Sequence, residues 1–164
     1  MNDSFKPFEA AIERVAKRVK ATAPQEVVLT RLYHHVYTRL IEYYDEFLKS
    51  HSLNLTAWMA LIMIYASEDH SLKPSELSTC MNSSRTNSTR VADELVEKGW
   101  VERLPCQTDR RQLYLQLTEQ GVAFVQDLLP QMRDRHRLLW STFNKDDKET
   151  MDRLLRKLLT QLGG

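Results

Sequence analysis

A mainly helical chain with one small β-hairpin is what this sequence predicts, and three observations carry the prediction. Glycine and proline are scarce, four and five among 164 residues, so tight turns are few. Apolar residues recur at spacings of three and four over most of the length. Only WVERL (Trp100–Leu104) and QLYLQL (Gln112–Leu117) alternate apolar with polar residues, as half-buried strands do.

The elements follow in order. Phe5, Phe8, Ile12, Val15 and Val19 form an apolar seam of the kind one helix offers another. ATAP then interrupts it, because Pro24 disfavours helical geometry at Ala23. A long helix is expected from Gln25 to about Ser50, with Val28, Leu32, Val36, Leu40, Tyr43 and Phe47 on one side. LTAWMALIMIYA, Leu55–Ala66, is apolar almost all round and reads as a central buried helix capped by Thr56 or Asn54. Pro74 suits the first position of a short helix and Glu76 its first turn, with Leu77 and Met81 facing inward. Asn82 or Ser83 is expected to cap the next helix, which stops at Gly99. Between the two strands PCQTDRR is a short, basic loop. Thr118 caps a helix in which Pro130 is placed to make a kink. A last helix after Asn144 carries Met151, Leu154, Leu155, Leu158, Leu159 and Leu162.

Helix, short helix, turn, helix and a hairpin with a basic tip make a winged helix-turn-helix. The flanking helices carry more apolar stripe than that unit can cover. Stripes of this length are partner surfaces, and a symmetric homodimer is their simplest use.

Composition excludes several alternatives. The formal charge of +1 gives no global argument for nucleic acid. No run approaches the ~18–20 apolar residues of a membrane span, and MNDSFKPFEA lacks the apolar core of a secretory signal. With Cys80 and Cys106 far apart, a reduced, cytoplasmic protein is expected. GxSxG, P-loop, HExxH and zinc-spaced cysteine patterns are missing, so the expectation is no enzyme, no metal and no cofactor. His34 and His35 are adjacent on a helix, point in different directions and form no chelating pair.

Function is legible in SSRTNSTRVADELVEKGW, Ser83–Trp100. Its second half is amphipathic, with Val91, Ala92, Leu95 and Val96 on the buried face. Its first half holds only small hydroxyl side chains, one amide and two arginines. Ser83, Thr86 and Arg90 lie opposite the buried face, flanked by Arg85 and Thr89 on one side and Asn87 on the other. A recognition helix enters the major groove by its N-terminal part. There serine and threonine meet phosphates or base edges, asparagine pairs with adenine, and arginine reaches guanine. Acids begin only at Asp93, where such a helix has returned to its own domain. Arg110 and Arg111 sit where a wing tip meets the minor groove, whose negative potential attracts arginine. Asp109 is expected to pair with Arg111 and orient it, and Arg103 on the first strand to add a phosphate contact. The expected organisation is therefore residues 1–50 as N-terminal helices on the dimerisation and ligand side, 51–117 as the DNA-binding region, and 118–164 as C-terminal dimerisation helices, all in one compact domain.

DRRQLYLQLTEQG, Asp109–Gly121, resembles the wing signature of the MarR family of transcriptional regulators: Asp109, Arg111, Leu115, Leu117, Thr118 and Gly121 fill its slots. ELS and TRVADELVEKGWVER are similar to that family's recognition helix and first wing strand. The likeness covers about Leu53–Leu129, and VVLTRL, NLTAWMALIMI, LKPSELS and LPQ resemble its multidrug-efflux repressor branch, the EmrR type. The resemblance implies a homodimer reading half-sites of a pseudo-palindromic operator in double-stranded DNA, with Arg90 as the main reader of the helix and Arg111 at the wing tip. It further implies a repressor of efflux or stress genes, released by a small aromatic, phenolic or otherwise hydrophobic effector. Tyr33, His34, Tyr37, Trp58, Met59 and Met63 are the candidate ligand-binding residues, with apolar walls and a few polar anchors. Two alternatives stand beside this reading. One is a redox-sensing regulator using Cys106, whose neighbours Arg103, Arg110 and Arg111 would lower its thiol pKa. The other is a winged-helix interaction module that binds no DNA.

Overall fold

The computed structural model describes residues 3–21, 25–105 and 113–163. Seven helices and three strands run in the order α1 (Lys6–Arg18), α2 (Gln25–Leu48), α3 (Leu55–Ala66), β1 (Ser71–Leu72), α4 (Pro74–Cys80), α5 (Arg85–Glu97), β2 (Val101–Pro105), β3 (Leu113–Leu117), α6 (Glu119–Leu139) and α7 (Lys145–Gln161). This is the mainly α winged fold that the sequence predicts.

α3 is the hub, as its all-round apolar surface requires. Ala57, Trp58, Ala60, Leu61 and Ile64 are buried, and α3 touches α2, α4, α5, α6 and β3. Its cap is Asn54, whose Oδ1 accepts from Ala57 N at 2.8 Å. Asp45 of α2 reaches the same helix end, with Oδ1 accepting from Leu55 N at 2.5 Å. Leu48, Leu77, Val91, Leu95, Leu115 and Leu128 complete the core from five other elements.

The sheet departs from the expected hairpin. β2 and β3 pair antiparallel with Val101 opposite Leu117 and Arg103 opposite Leu115. A third strand, β1, adds to the other edge of β3, with Leu72 opposite Leu115, giving the order β1-β3-β2. Two residues carry no alternation signal, so the strand is invisible in the sequence. Trp100, expected within the first strand, precedes it and stacks on Phe124 at 4.1 Å.

At the junction of α5, β2 and α6 two glycines are indispensable. Gly99 ends α5 at φ +71°, the left-handed region open to glycine. Gly121, in the first turn of α6, packs so closely that a Cβ there would lie 2.0 Å from the Trp100 carbonyl oxygen. Thr118 ties the same seam. Its N–H donates to Trp100 O at 3.0 Å, its hydroxyl donates to Gly99 O at 2.7 Å, and the hydroxyl oxygen accepts from Gly121 N at 3.0 Å. The Leu-Thr-x-x-Gly signature thus has a mechanical reason. α6 then runs through Pro130 as one element to Leu139.

Outside the core the helices are bare. Of the expected apolar side of α2, Leu40, Tyr43 and Phe47 pack on the core, whereas Leu32 and Val36 are exposed. The fully covered α2 residues are Tyr44 and Leu48, because only the end of this helix overlies the core. Phe8 and Val15 of α1, Val19 just after it, and Leu154, Leu155, Leu158 and Leu159 of α7 are exposed. No helix among the described residues is long and apolar enough to cross a membrane.

Candidate nucleic-acid interface

α4 and α5 form the helix-turn-helix. Pro74 opens α4, and Glu76 Oε2 accepts from Lys73 N at 2.8 Å, closing the first turn. The turn that follows holds Asn82 at φ +45°. The cap of α5 is Ser84, not Asn82 or Ser83: its Oγ accepts from Asn87 N at 3.2 Å. Tertiary contacts make that choice. Ser78 Oγ donates to the Ser83 carbonyl at 2.8 Å, drawing Ser83 inward, where its hydroxyl meets Ser88 Oγ at 3.1 Å. Ser88, only 2% exposed, is thereby satisfied. Ser83 is accordingly a half-buried residue of the turn rather than part of the outward face.

The two furnishings of α5 are real. Val91, Ala92 and Leu95 are buried, Val96 is half-buried, and Arg85, Thr86, Thr89 and Arg90 are exposed. No acid lies in the first turn. Thr89 Oγ1 donates to Arg85 O at 2.9 Å, which leaves its lone pairs outward. Asn87 is half-buried, with Nδ2 donating to Ser83 Oγ at 3.2 Å and Oδ1 accepting from Arg90 Nη2 at 3.3 Å. On the far side Arg90 Nη1 lies 3.8 Å from Glu94 Oε2.

Arg103 is differently employed from what its position in the sequence suggests. Its Nη2 donates to Asp93 Oδ1 at 2.5 Å, tying β2 to α5. Asp109, Arg110 and Arg111, with the expected Asp109–Arg111 pair, lie outside the described residues, and so does Cys106. Cys80 is an exposed free thiol at the end of α4.

The six candidate ligand residues differ widely in exposure. Tyr33 and Tyr37 are each 54% exposed on α2, beside exposed His34, while Trp58 is 3% exposed inside the core. Met59 is exposed and Met63 half-buried. An open groove of about 580 Å³ lies elsewhere, between the end of α6 and α7, lined by Arg133, Arg137, Trp140, Met151 and Leu155 among others. His35 turns to Phe5 and Phe8, with ring centres 5.7 and 5.3 Å away.

Sequence reasoning missed the ties between α2 and α6. Tyr44 OH meets His136 Nδ1, Tyr43 OH donates to Arg135 O at 3.3 Å, and the Arg135 guanidinium lies 4.5 Å from the Phe47 ring centre. Burial, and secondarily Tyr43, raise the Tyr44 phenol pKa above its ordinary value. Pairs 92 residues apart leave no local signal.

A winged helix-turn-helix with an acid-free outward end on its second helix defines the class, and the chain belongs to the MarR family. The model of that family matches residues 53–113. The chain is 43% identical over 162 residues, 99% of its length and 92% of the relative's, to the transcriptional repressor MprA of Escherichia coli (strain K12). It is 30% identical to the HTH-type transcriptional regulator PrsX of Escherichia coli, covering 92% of this chain and 93% of PrsX. Among solved structures, a mutant of E. coli MarR complexed with operator DNA is 30% identical, with a TM-score of 0.73, 80% of this chain and 93% of that one being covered. The branch that VVLTRL, NLTAWMALIMI, LKPSELS and LPQ resemble, the EmrR type, is the one to which MprA belongs.

Proposed function

We propose that this chain is a homodimeric transcriptional repressor of efflux or stress genes whose two α5 helices read the half-sites of a pseudo-palindromic operator. In the same reading, small aromatic or hydrophobic molecules release it from the DNA. One observation carries the reading: Arg85, Thr86, Thr89 and Arg90 stand exposed on an acid-free helix start whose rear is fixed in the core. The repressor named among its relatives and the MarR–operator complex support it. The bare stripes of α1 and α7 support a dimer, since apolar surface of that extent is stabilised by a twin subunit. Residues 51–117 then supply the DNA-binding part and the flanking helices the dimer.

Release follows from population shift. The dimer exists with its two α5 helices at DNA spacing or away from it, and an effector acts only by binding the second form better. Tyr33, His34 and Tyr37 become walls of an effector site only if a twin subunit covers them. Footprinting on the DNA flanking its own gene tests the whole reading. Two protected half-sites about 10 bp apart are expected, and a single unpaired half-site contradicts the dimer. Arg90→Ala should relax preference at one base pair of each half-site, at a cost of about 1–3 kcal/mol. Unchanged binding would remove α5 from the interface.

A further inference from the structure

Resting on the DNA-binding reading, we propose that Asn87 and Glu94 are positioning residues that aim Arg90, and that Asn87 reads no base itself. Asn87, Arg90 and Glu94 succeed one another at spacings of three and four, so they form one ridge along α5, and Ser83 of the preceding turn is hydrogen-bonded to its first member. Asparagine recognises adenine by offering the oxygen and the nitrogen of one amide edge together. Both are engaged within the protein: Nδ2 donates to Ser83 Oγ at 3.2 Å, and Oδ1 accepts from Arg90 Nη2 at 3.3 Å. The amide is anchored in turn, because Ser83 Oγ also meets the buried Ser88 hydroxyl and the Ser83 carbonyl accepts from Ser78.

The result is a relay from the buried side of the helix-turn-helix to an exposed guanidinium. Asn87 holds one terminal nitrogen of Arg90, and Glu94, with a side chain 26% exposed against 61% for the arginine, flanks the other at 3.8 Å. An exposed pair of this kind adds little stability. Its effect is on geometry: a long side chain hydrogen-bonded at one terminal nitrogen and drawn towards a carboxylate at the other before DNA arrives has less freedom left to lose. Immobilising such a side chain costs about 0.5–1.5 kcal/mol, which is about two- to tenfold in affinity.

The test is a double-mutant cycle on the intact dimer. Duplexes selected from a randomised pool by the wild-type protein are bound to wild type, Asn87→Ala, Arg90→Ala and the double variant, with every single-base change in the half-site. Asn87→Ala should weaken binding about two- to tenfold per half-site, about four- to a hundredfold for the dimer on both, with the salt slope unchanged, since no phosphate contact is lost. The base preferences of wild type should persist, except for a softening at the pair read by Arg90. In the Arg90→Ala background Asn87→Ala should have no further effect. A thermal midpoint of Asn87→Ala equal to that of wild type separates aiming from folding. Additive effects, or loss of discrimination at a second base pair in Asn87→Ala, would overturn the inference while leaving the DNA-binding reading intact. A wild-type protein that enriches no sequence would overturn both.

Discussion

Replacing Gly121 by alanine tests the packing of α6 on the winged unit. Alanine is the better helix former by about 1 kcal/mol, so propensity alone predicts a gain. Geometry predicts the reverse. The new methyl would sit 2.0 Å from Trp100 O and 2.9 Å from the carbonyl carbon, both backbone atoms that no rotamer can move aside. An ordinary carbon–oxygen contact needs about 3.3 Å, so the seam must open by more than about 1 Å. That breaks the Thr118 N–H bond to Trp100 O, now 3.0 Å, and strains the Thr118 hydroxyl bond to Gly99 O at 2.7 Å. Two such bonds are worth about 2 kcal/mol together, and forcing a methyl into a packed site costs a further ~1–3 kcal/mol. Set against the propensity gain, Gly121→Ala should destabilise the protein by about 3 kcal/mol, or about a hundredfold in the folding equilibrium. Guanidinium denaturation at fixed protein concentration reads this directly. A midpoint equal to or above that of wild type would refute the assignment of the seam.

Three further outcomes are expected. Ser84→Ala removes the cap of α5 and should cost about 1 kcal/mol in denaturation, whereas Asn82→Ala should leave that cap in place. Leu158→Glu on the exposed α7 stripe should loosen the dimer; at about 2 kcal/mol per copy, counted twice by symmetry, the dissociation constant rises about a thousandfold, which sedimentation at graded concentrations would measure. The raised pKa of Tyr44 means that its stabilising contribution is fully present below the ordinary tyrosine pKa of 10 and is lost as pH rises through the higher folded-state value. Urea midpoints should therefore fall as pH rises above the ordinary tyrosine value of 10 in wild type, and Tyr44→Phe should reduce that fall.

Much of this arrangement was legible because local rules coincided. Leu55–Ala66 is recovered residue for residue, since an unbroken apolar run follows a strong cap at Asn54. The limits of α5 at Gly99 and of α6 at Thr118 are equally local. What escaped depends on distance. Asn82 and Ser83 are the expected caps of α5, but Ser78 claims Ser83 and the cap falls to Ser84. Arg103 reads as a free cation until Asp93, ten residues earlier, takes it up. Trp58 reads as a ligand wall because an all-apolar helix does not say which of its faces is deepest. Asn87 shows the limit most clearly: its type suggests adenine, and its partners suggest support for a neighbour.

The short strand β1 has a mechanical consequence. Through Leu72 opposite Leu115 it stitches the chain just before α4 to the middle strand of the wing, and Arg103–Asp93 and Thr118–Gly99 fasten the opposite side. Reading head and wing are thereby clasped on two flanks, and neither can swing without dragging the other. Control over such a reader has little purchase inside a single copy. In the proposed dimer it falls to the separation and tilt of two already finished heads, beside the long uncovered arms.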